Sequence, residues 1–246
     1  MKIAIICASD DELAPFLKAL ENVQISEKAM LRFYESQIEN VEIVTLYCGV
    51  GKVNAALATQ ILIDTFHVDI IINAGTAGAI CNTLKLFDTV ISKEIAYHDV
   101  QEDILTEFHP YLPTATFFVN NKLLDIAKII CQQNQNTYLG KIITGDSFID
   151  KGQHEALNKN FAALCVDMES ASIAHVCYVN AIDFIVIRTI TDTPVLTGHQ
   201  AFEQNCKKAS DQTKDIVFKF INMIKNSGIR PLFLIIHFWF INHSIF

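Results

Sequence analysis

Three carboxylates stand where short apolar runs give out. Glu12 closes Ser9-Asp10-Asp11-Glu12 behind the run 2–8, Glu169 follows Val166-Asp167-Met168, and Asp192 ends Arg188-Thr189-Ile190-Thr191-Asp192. A carboxyl at a buried strand end suits general acid or base work, because desolvation raises its affinity for a proton. Small residues mark the neighbouring edges: Cys48-Gly49-Val50-Gly51-Lys52, Asn73-Ala74-Gly75-Thr76-Ala77-Gly78 and Thr144-Gly145-Asp146-Ser147-Phe148. Small side chains admit a ligand close to the backbone. In open α/β sheets ligands collect beyond the carboxyl ends of the strands, so the pattern points to a small-molecule site.

Each residue also has a plainer use. Asp10 or Asp11 could cap a helix, Glu169 could favour a helix start, and Asp192 could be a turn residue before Thr193-Pro194. Capping accounts less easily for Glu12, a turn's distance from a buried strand end. Gly49-Val50-Gly51-Lys52-Val53 suggests a phosphate loop, but Val53 stands where magnesium needs Ser or Thr, and Asn54 where a dinucleotide fingerprint needs a third glycine. A tight strand-to-helix turn and a ligand-facing glycine loop both remain open. His175 sits in a helical pattern and reads as structural. His98 could approach a ligand, which its position alone does not establish.

The elements that must hold these residues are legible as changes of period. Near-continuous β-branched runs at 2–8, 41–47, 68–73, 89–95, 139–144, 163–167 and 184–190 read as strands covered on both faces. Helical patterns fill 11–22, 52–66, 122–133, 169–179 and 202–225, while 30–37 alternates and turns at Ile38-Glu39-Asn40 into a β-hairpin. This order predicts an α/β chain: a three-layer α/β/α sandwich with a central mixed, largely parallel sheet, in one domain.

Composition narrows the function classes. The 246 residues are 51% hydrophobic and 19% charged, with a formal net charge of −8 and three arginines, Arg32, Arg188 and Arg230. Such a chain is too apolar for disorder and lacks the basic face a nucleic-acid binder needs. Seven cysteines are scattered singly, without a CxxC pair or HExxH, which fits thiols in a reducing cytosol better than a disulfide framework or a zinc site. The apolar start breaks off at Ser9, too soon for a signal peptide.

Taken together with their spacing, Glu12, the 49–53 turn, Gly75-Thr76-Ala77-Gly78, Val166-Asp167-Met168-Glu169 and Arg188-Thr189-Ile190-Thr191-Asp192 resemble the nucleoside phosphorylase-I superfamily and its hydrolase branch, the methylthioadenosine/S-adenosylhomocysteine nucleosidases. Tyr97-His98-Asp99, Thr144-Gly145-Asp146-Ser147-Phe148-Ile149 and Ile173-Ala174-His175-Val176-Cys177 extend the resemblance colinearly over residues 1–225. It implies cleavage of an N-glycosidic bond to adenine through an oxocarbenium-like transition state. In that reading Asp192 shares a proton with adenine N7 and Glu12 is general base on the attacking water. Glu169 accepts from the ribose hydroxyls, and Met168 packs on the sugar face. Phe148 stacks on the base while backbone near Phe148 and Ile149 reads its edge. Thr76 and Arg188 support the water and the carboxylates, Phe202 lines the 5′-thioalkyl pocket, and Ser9 and Val50 complete the lining. The resemblance implies no metal or organic cofactor. It implies a homodimer in which the loop 97–113 helps complete the partner's pocket; Tyr97, Phe108 and Tyr111 fit an interface and equally an ordinary surface loop.

A phosphorylase on the same fold is the main rival, but phosphate needs cationic ligands and Arg188 alone could approach the site. A 6-amino-6-deoxyfutalosine nucleosidase and a non-catalytic adenine-nucleoside binding protein are the others. Two departures from the family's usual pattern are Ser9 in place of methionine and Asp167 in place of glutamate. Residues 226–246 have no family counterpart. In 232–246, eleven of fifteen residues are apolar and Trp239 is the only tryptophan of the chain. Fifteen residues fall short of the roughly 20 that span a bilayer. This extension is expected to pack on the body or on another subunit rather than in a membrane, and truncation after Lys225 to spare hydrolysis.

Overall fold

Isoleucine and valine runs bury both of their faces, so the strands they form lie in the interior. The computed structural model describes residues 1–149, 152–196 and 199–227, His199 by its backbone alone. Within these, the strands are β1 (Lys2–Cys7), β2 (Gln24–Lys28), β3 (Leu31–Ile38), β4 (Val41–Tyr47), β5 (Ile70–Ala79), β6 (Thr89–Tyr97), β7 (Phe117–Phe118), β8 (Thr137–Thr144), β9 (Cys165–Asp167) and β10 (Asp183–Asp192). The helices are α1 (Asp10–Ala19), α2 (Lys52–Phe66), α3 (Glu102–Thr106), α4 (Asn121–Gln133), α5 (Gln153–Phe161), α6 (Ser170–Val179) and α7 (His199–Asn226). Ile3, Ala4, Ile5, Ile6 and Cys7 are wholly buried, as are Ile70, Ile71 and Ile72 beside them. At about 1.5–3 kcal/mol for each fully buried aliphatic side chain, these central strands supply much of the driving force for folding.

The sheet is mixed. Its order is β10-β6-β8-β9-β5-β1-β4-β3-β2, with β7 on β6. Among the described residues five pairings are parallel, β1–β4, β1–β5, β10–β5, β6–β8 and β8–β9. The remaining five are antiparallel and include the expected hairpin, β3–β4, to which β2 adds a further antiparallel pairing on β3. Because β10 also pairs with β5, the strands β10, β6, β8, β9 and β5 form a closed ring, and β1, β4, β3 and β2 extend from it as a wing. The open sheet assumed in the sequence reading is therefore closed on one side. Strand β5 makes the closure by continuing past Asn73 through Gly75, Thr76, Ala77 and Gly78, which pair with β10.

One consequence positions the site. Along one edge of β5, Ile70–Asn73 pairs with β1, and only Gly78 and Ala79 pair with β9. Between these two partners the edge has no strand beside it, and the backbone of Thr76 must find other partners.

Helices α1 and α4 each pack on α7, and α2 packs on α6. Strand β2, helix α5 and the short α3 and β7 escape the sequence reading. In α5, partly buried Leu157 and Phe161 cover a satellite core of Ile80, Ala96, Ile143, Ile149, Ala163 and Val166, too few apolar positions to show a period. Among the described residues no helix is long and apolar enough to cross a membrane. The apolar extension at 232–246 lies outside the described residues.

Candidate active site

A cleft of about 210 Å³ opens where β1, β5, β9 and β10 end, and all eleven residues singled out from the sequence line it: Ser9, Glu12, Val50, Thr76, Phe148, Ile149, Met168, Glu169, Arg188, Asp192 and Phe202. Ala8, Ala77, Gly78, Ser147, Val166, Asp167 and Thr191 complete the wall.

Glu12 enters the cleft from the first turn of α1. The helix is capped by Ser9, whose Oγ accepts from the Glu12 N–H at 3.3 Å, so neither Asp10 nor Asp11 serves as cap. The Glu12 carboxylate instead fills the gap along β5. Its Oε1 accepts from the Thr76 N–H at 2.7 Å and from Thr76 Oγ1 at 2.8 Å, and its Oε2 accepts from the Ala8 N–H at 2.8 Å. Gly75 makes this approach possible. A Cβ there would lie 2.5 Å from Glu12 Oε1 and 2.6 Å from Arg188 Nη1.

Arg188 is almost wholly buried among three carboxylates. Nη2 donates to Glu169 Oε2 at 3.0 Å, Nε lies 2.9 Å from Asp167 Oδ2, and Nη1 lies 3.8 Å from Glu12 Oε1 while donating to the Thr76 carbonyl at 3.2 Å. Burial opposes the guanidinium charge, but Asp167, Glu169 and Glu12 outweigh it and hold the group above its ordinary pKa. One cation thus faces three acids, and the cluster carries excess negative charge when all are ionised.

Glu169 precedes α6 without capping it. Its Oε1 accepts from the Gly51 N–H at 3.0 Å, which joins the glycine turn to the cluster. Burial lifts its carboxyl to about 7; Arg188 opposes the shift, and Asp167 and Glu12 add to it. Capping falls to Asp167, whose Oδ1 accepts from the N–H groups of Glu169 and Ser170 at 3.3 and 3.1 Å and from Thr144 Oγ1 at 2.6 Å. The Ser170 hydroxyl donates to its other oxygen. The sequence marked Asp167 only as a departure from the family pattern and assigned it no role. Its signal was a carboxylate at the end of a buried strand, the pattern that had picked out the other three.

Asp192 closes β10 opposite Gly78, and a Cβ on Gly78 would stand 2.7 Å from Asp192 Oδ2. Thr191 Oγ1 donates to Asp192 Oδ1 at 2.9 Å. Burial pushes this carboxyl above its ordinary range, against the Thr191 hydroxyl and His154, which favour the charged form. Phe148 and Phe202 meet edge to face at 6.3 Å between centroids and form the aromatic wall. The glycine turn is tight and borders the cleft at once: Gly49 and Gly51 have φ of +88° and +99°, and Val50 between them lines the wall.

Other nucleophile candidates fall away. The Cys7 and Cys48 thiols near Glu12 are raised in pKa, mainly by burial, and so are held protonated. His175 stacks on Phe117 at 5.3 Å and is structural, while His98 packs on Gly145 and does not line the cleft. Among the described residues no group of three or more His, Cys, Asp or Glu is arranged to hold a metal ion.

The geometry agrees with what the chain is similar to. The family model of the phosphorylase superfamily matches residues 2–222. A 5′-methylthioadenosine/S-adenosylhomocysteine nucleosidase of Staphylococcus carnosus is 33% identical over 231 residues, covering 90% of this chain and 100% of the relative. Among solved structures, such a nucleosidase from Colwellia psychrerythraea in complex with adenine superposes with a TM-score of 0.81 at 35% identity, covering 90% of this chain and 95% of that one. The futalosine hydrolase of Helicobacter pylori gives 0.82 at 26% identity, covering 91% and 98%. The chain belongs to the phosphorylase superfamily and, within it, to the 5′-methylthioadenosine/S-adenosylhomocysteine nucleosidases.

Proposed function

We propose that the protein hydrolyses the N-glycosidic bond of 5′-methylthioadenosine and S-adenosylhomocysteine, releasing adenine and the 5′-thio-substituted ribose. The observation that carries this reading is the buried set Glu12, Glu169 and Asp192 lining one cleft, with Arg188 already engaged by carboxylates.

The site residues take these roles. Asp192, with a raised pKa, donates a proton to adenine N7 as the C1′–N9 bond breaks, so the electron pair departs on a neutral base. General acid help of this kind is worth about 10²–10⁴-fold. Positive charge builds on the ribose, and the anionic excess around Arg188 stabilises it. Glu12, pinned by three donors, accepts the proton of a water attacking C1′, with the Thr76 hydroxyl at its side. Glu169 receives the ribose hydroxyls and Met168 the sugar face. Phe148 stacks on adenine beside Ile149, while Phe202, Ser9 and Val50 shape the 5′ end.

Water rather than phosphate is the nucleophile in this reading. Arg188 is spent on Asp167, Glu169 and Glu12, and Lys52 lies against Asp99 and Asp146, so neither cation is left for a dianion. Adenine release by the purified protein, measured with and without phosphate, tests this: phosphate-dependent release would demote the hydrolase, and binding without release would favour a non-catalytic role. The similarity to a futalosine hydrolase favours 6-amino-6-deoxyfutalosine as a second substrate to include in that assay.

Four further readings accompany this one. A three-layer, largely parallel arrangement is supported by the two helix groups and by parallel pairing along β4, β1, β5 and β10. A homodimer is supported by exposed Phe108 and Tyr111 in the 97–113 loop, and a cytoplasmic location by seven free cysteines. Residues 1–225 as the catalytic unit accord with the family match at 2–222, and truncation after Lys225 that abolished adenine release in a folded protein would refute it.

A further inference from the structure

Lys52 follows the glycine turn but is not among the residues that line the cleft. Its Nζ donates to both oxygens of Asp99, at 2.9 and 2.8 Å, and lies 3.5 Å from Asp146 Oδ2. Its backbone N–H donates to Asp146 Oδ1 at 2.9 Å, and the Asp146 N–H donates to Asp99 Oδ2 at 3.0 Å. The ammonium also stands 5.5 Å over the Tyr97 ring. Three separate segments therefore meet: the start of α2, the residues after β6 and the residues after β8.

Each segment continues into the cleft wall. Val50 lies two residues before Lys52, Ser147, Phe148 and Ile149 directly follow Asp146, and Gly51 between Val50 and Lys52 donates to Glu169. The contact is close, since a Cβ on Gly51 would stand 3.3 Å from Asp146 Oδ1.

We infer that Lys52, Asp99 and Asp146 are positioning residues, an ionic latch that holds the Val50–Gly51 turn against the 147–149 wall and so sets the width of the nucleoside cleft. The inference rests on the nucleosidase reading. The latch touches no reacting atom and orders walls that grip substrate and transition state alike. Its loss therefore raises KM more than it lowers kcat.

Lys52→Met keeps the length of the side chain and removes its charge. With methylthioadenosine as substrate, KM should rise about tenfold while kcat stays within about threefold of wild type, misplaced walls being the cause. The melting temperature should fall by no more than about 3 °C, because partly exposed ion pairs contribute little to stability. Lys52→Arg should recover most of the lost KM. Asp99→Asn keeps its shape, should raise KM in the same sense, and decides the matter if Lys52→Met does not fold. An unchanged KM in the folded variants, or Lys52→Arg as impaired as Lys52→Met, overturns the latch alone. Absence of adenine release by the wild-type protein overturns the nucleosidase reading, and the latch with it.

Discussion

Asp192→Asn separates catalysis from stability, because the same burial acts on both in opposite directions. The carboxyl sits at the end of β10 with one oxygen on the Thr191 hydroxyl and the other against Gly78. Burial raises its pKa above the ordinary 3.8. The folded chain therefore binds more protons than the unfolded chain between those two values. Asp192 supports the fold fully below the unfolded value, and that support is lost as pH rises through the folded one. Asparagine cannot ionise, so at neutral pH it removes a charge that burial disfavours. Against this, its Nδ2 replaces an oxygen beside Gly78, at a cost of about 1 kcal/mol if it finds no acceptor. The net change in melting temperature should be within about 4 °C of zero for a chain of this size.

Activity should behave otherwise. Without a proton for N7 the base leaves as an anion, and kcat should fall by about 10²–10⁴, equivalent to ~2.7–5.5 kcal/mol on the barrier. Wild-type kcat should also decline as pH rises through the raised Asp192 pKa, and the residual rate of the variant should lack that limb. The assay is adenine release against pH, paired with thermal unfolding of the same preparations. A variant retaining a tenth or more of wild-type kcat would refute the acid assignment. A fall of more than about 10 °C would instead make Asp192 a structural residue.

Three other substitutions probe the cluster. Glu12→Gln should lose activity and also stability, by about 1–3 kcal/mol in chemical denaturation, because both carboxylate oxygens accept from fixed N–H donors and one must become an NH₂. Gly75→Ala should cut kcat/KM by about 10²-fold while the fold persists, since its Cβ displaces Glu12 and Arg188 from each other; near-normal kinetics would show that the crowding is relieved elsewhere. Arg188→Met should destabilise the protein by about 3–5 kcal/mol at neutral pH, with partial recovery on acidification as the stranded carboxylates take up protons; a urea midpoint that did not move would contradict the ion-pair picture.

Much of this site was legible before any fold was known. Apolar runs that end in carboxylates and glycines announce buried strands with chemistry at their tips, and Glu12, Glu169 and Asp192 follow from that local pattern. Helix α2 spans residues 52–66 as expected, because its limits depend on local signals, a glycine before it and His67 in a left-handed conformation after it. Helix α5 was not legible: it is only nine residues long, mostly polar, and its few apolar side chains, Leu157 and Phe161 among them, cover only a small satellite core.

The sequence by itself determined the kind of residues at the strand ends, the α/β order of elements and the family to which they point, because these depend on side-chain chemistry and near-neighbour spacing. Tertiary structure alone decided what those residues do to one another. The gap along β5 between β1 and β9 leaves Thr76 without a strand on that edge, and Glu12 and Arg188 take its N–H and carbonyl there. Asp167 becomes both helix cap and Arg188 partner, and Gly51 comes to serve Glu169 from 118 residues away. Such links join groups far apart in the chain, and no period or motif encodes the distance between them.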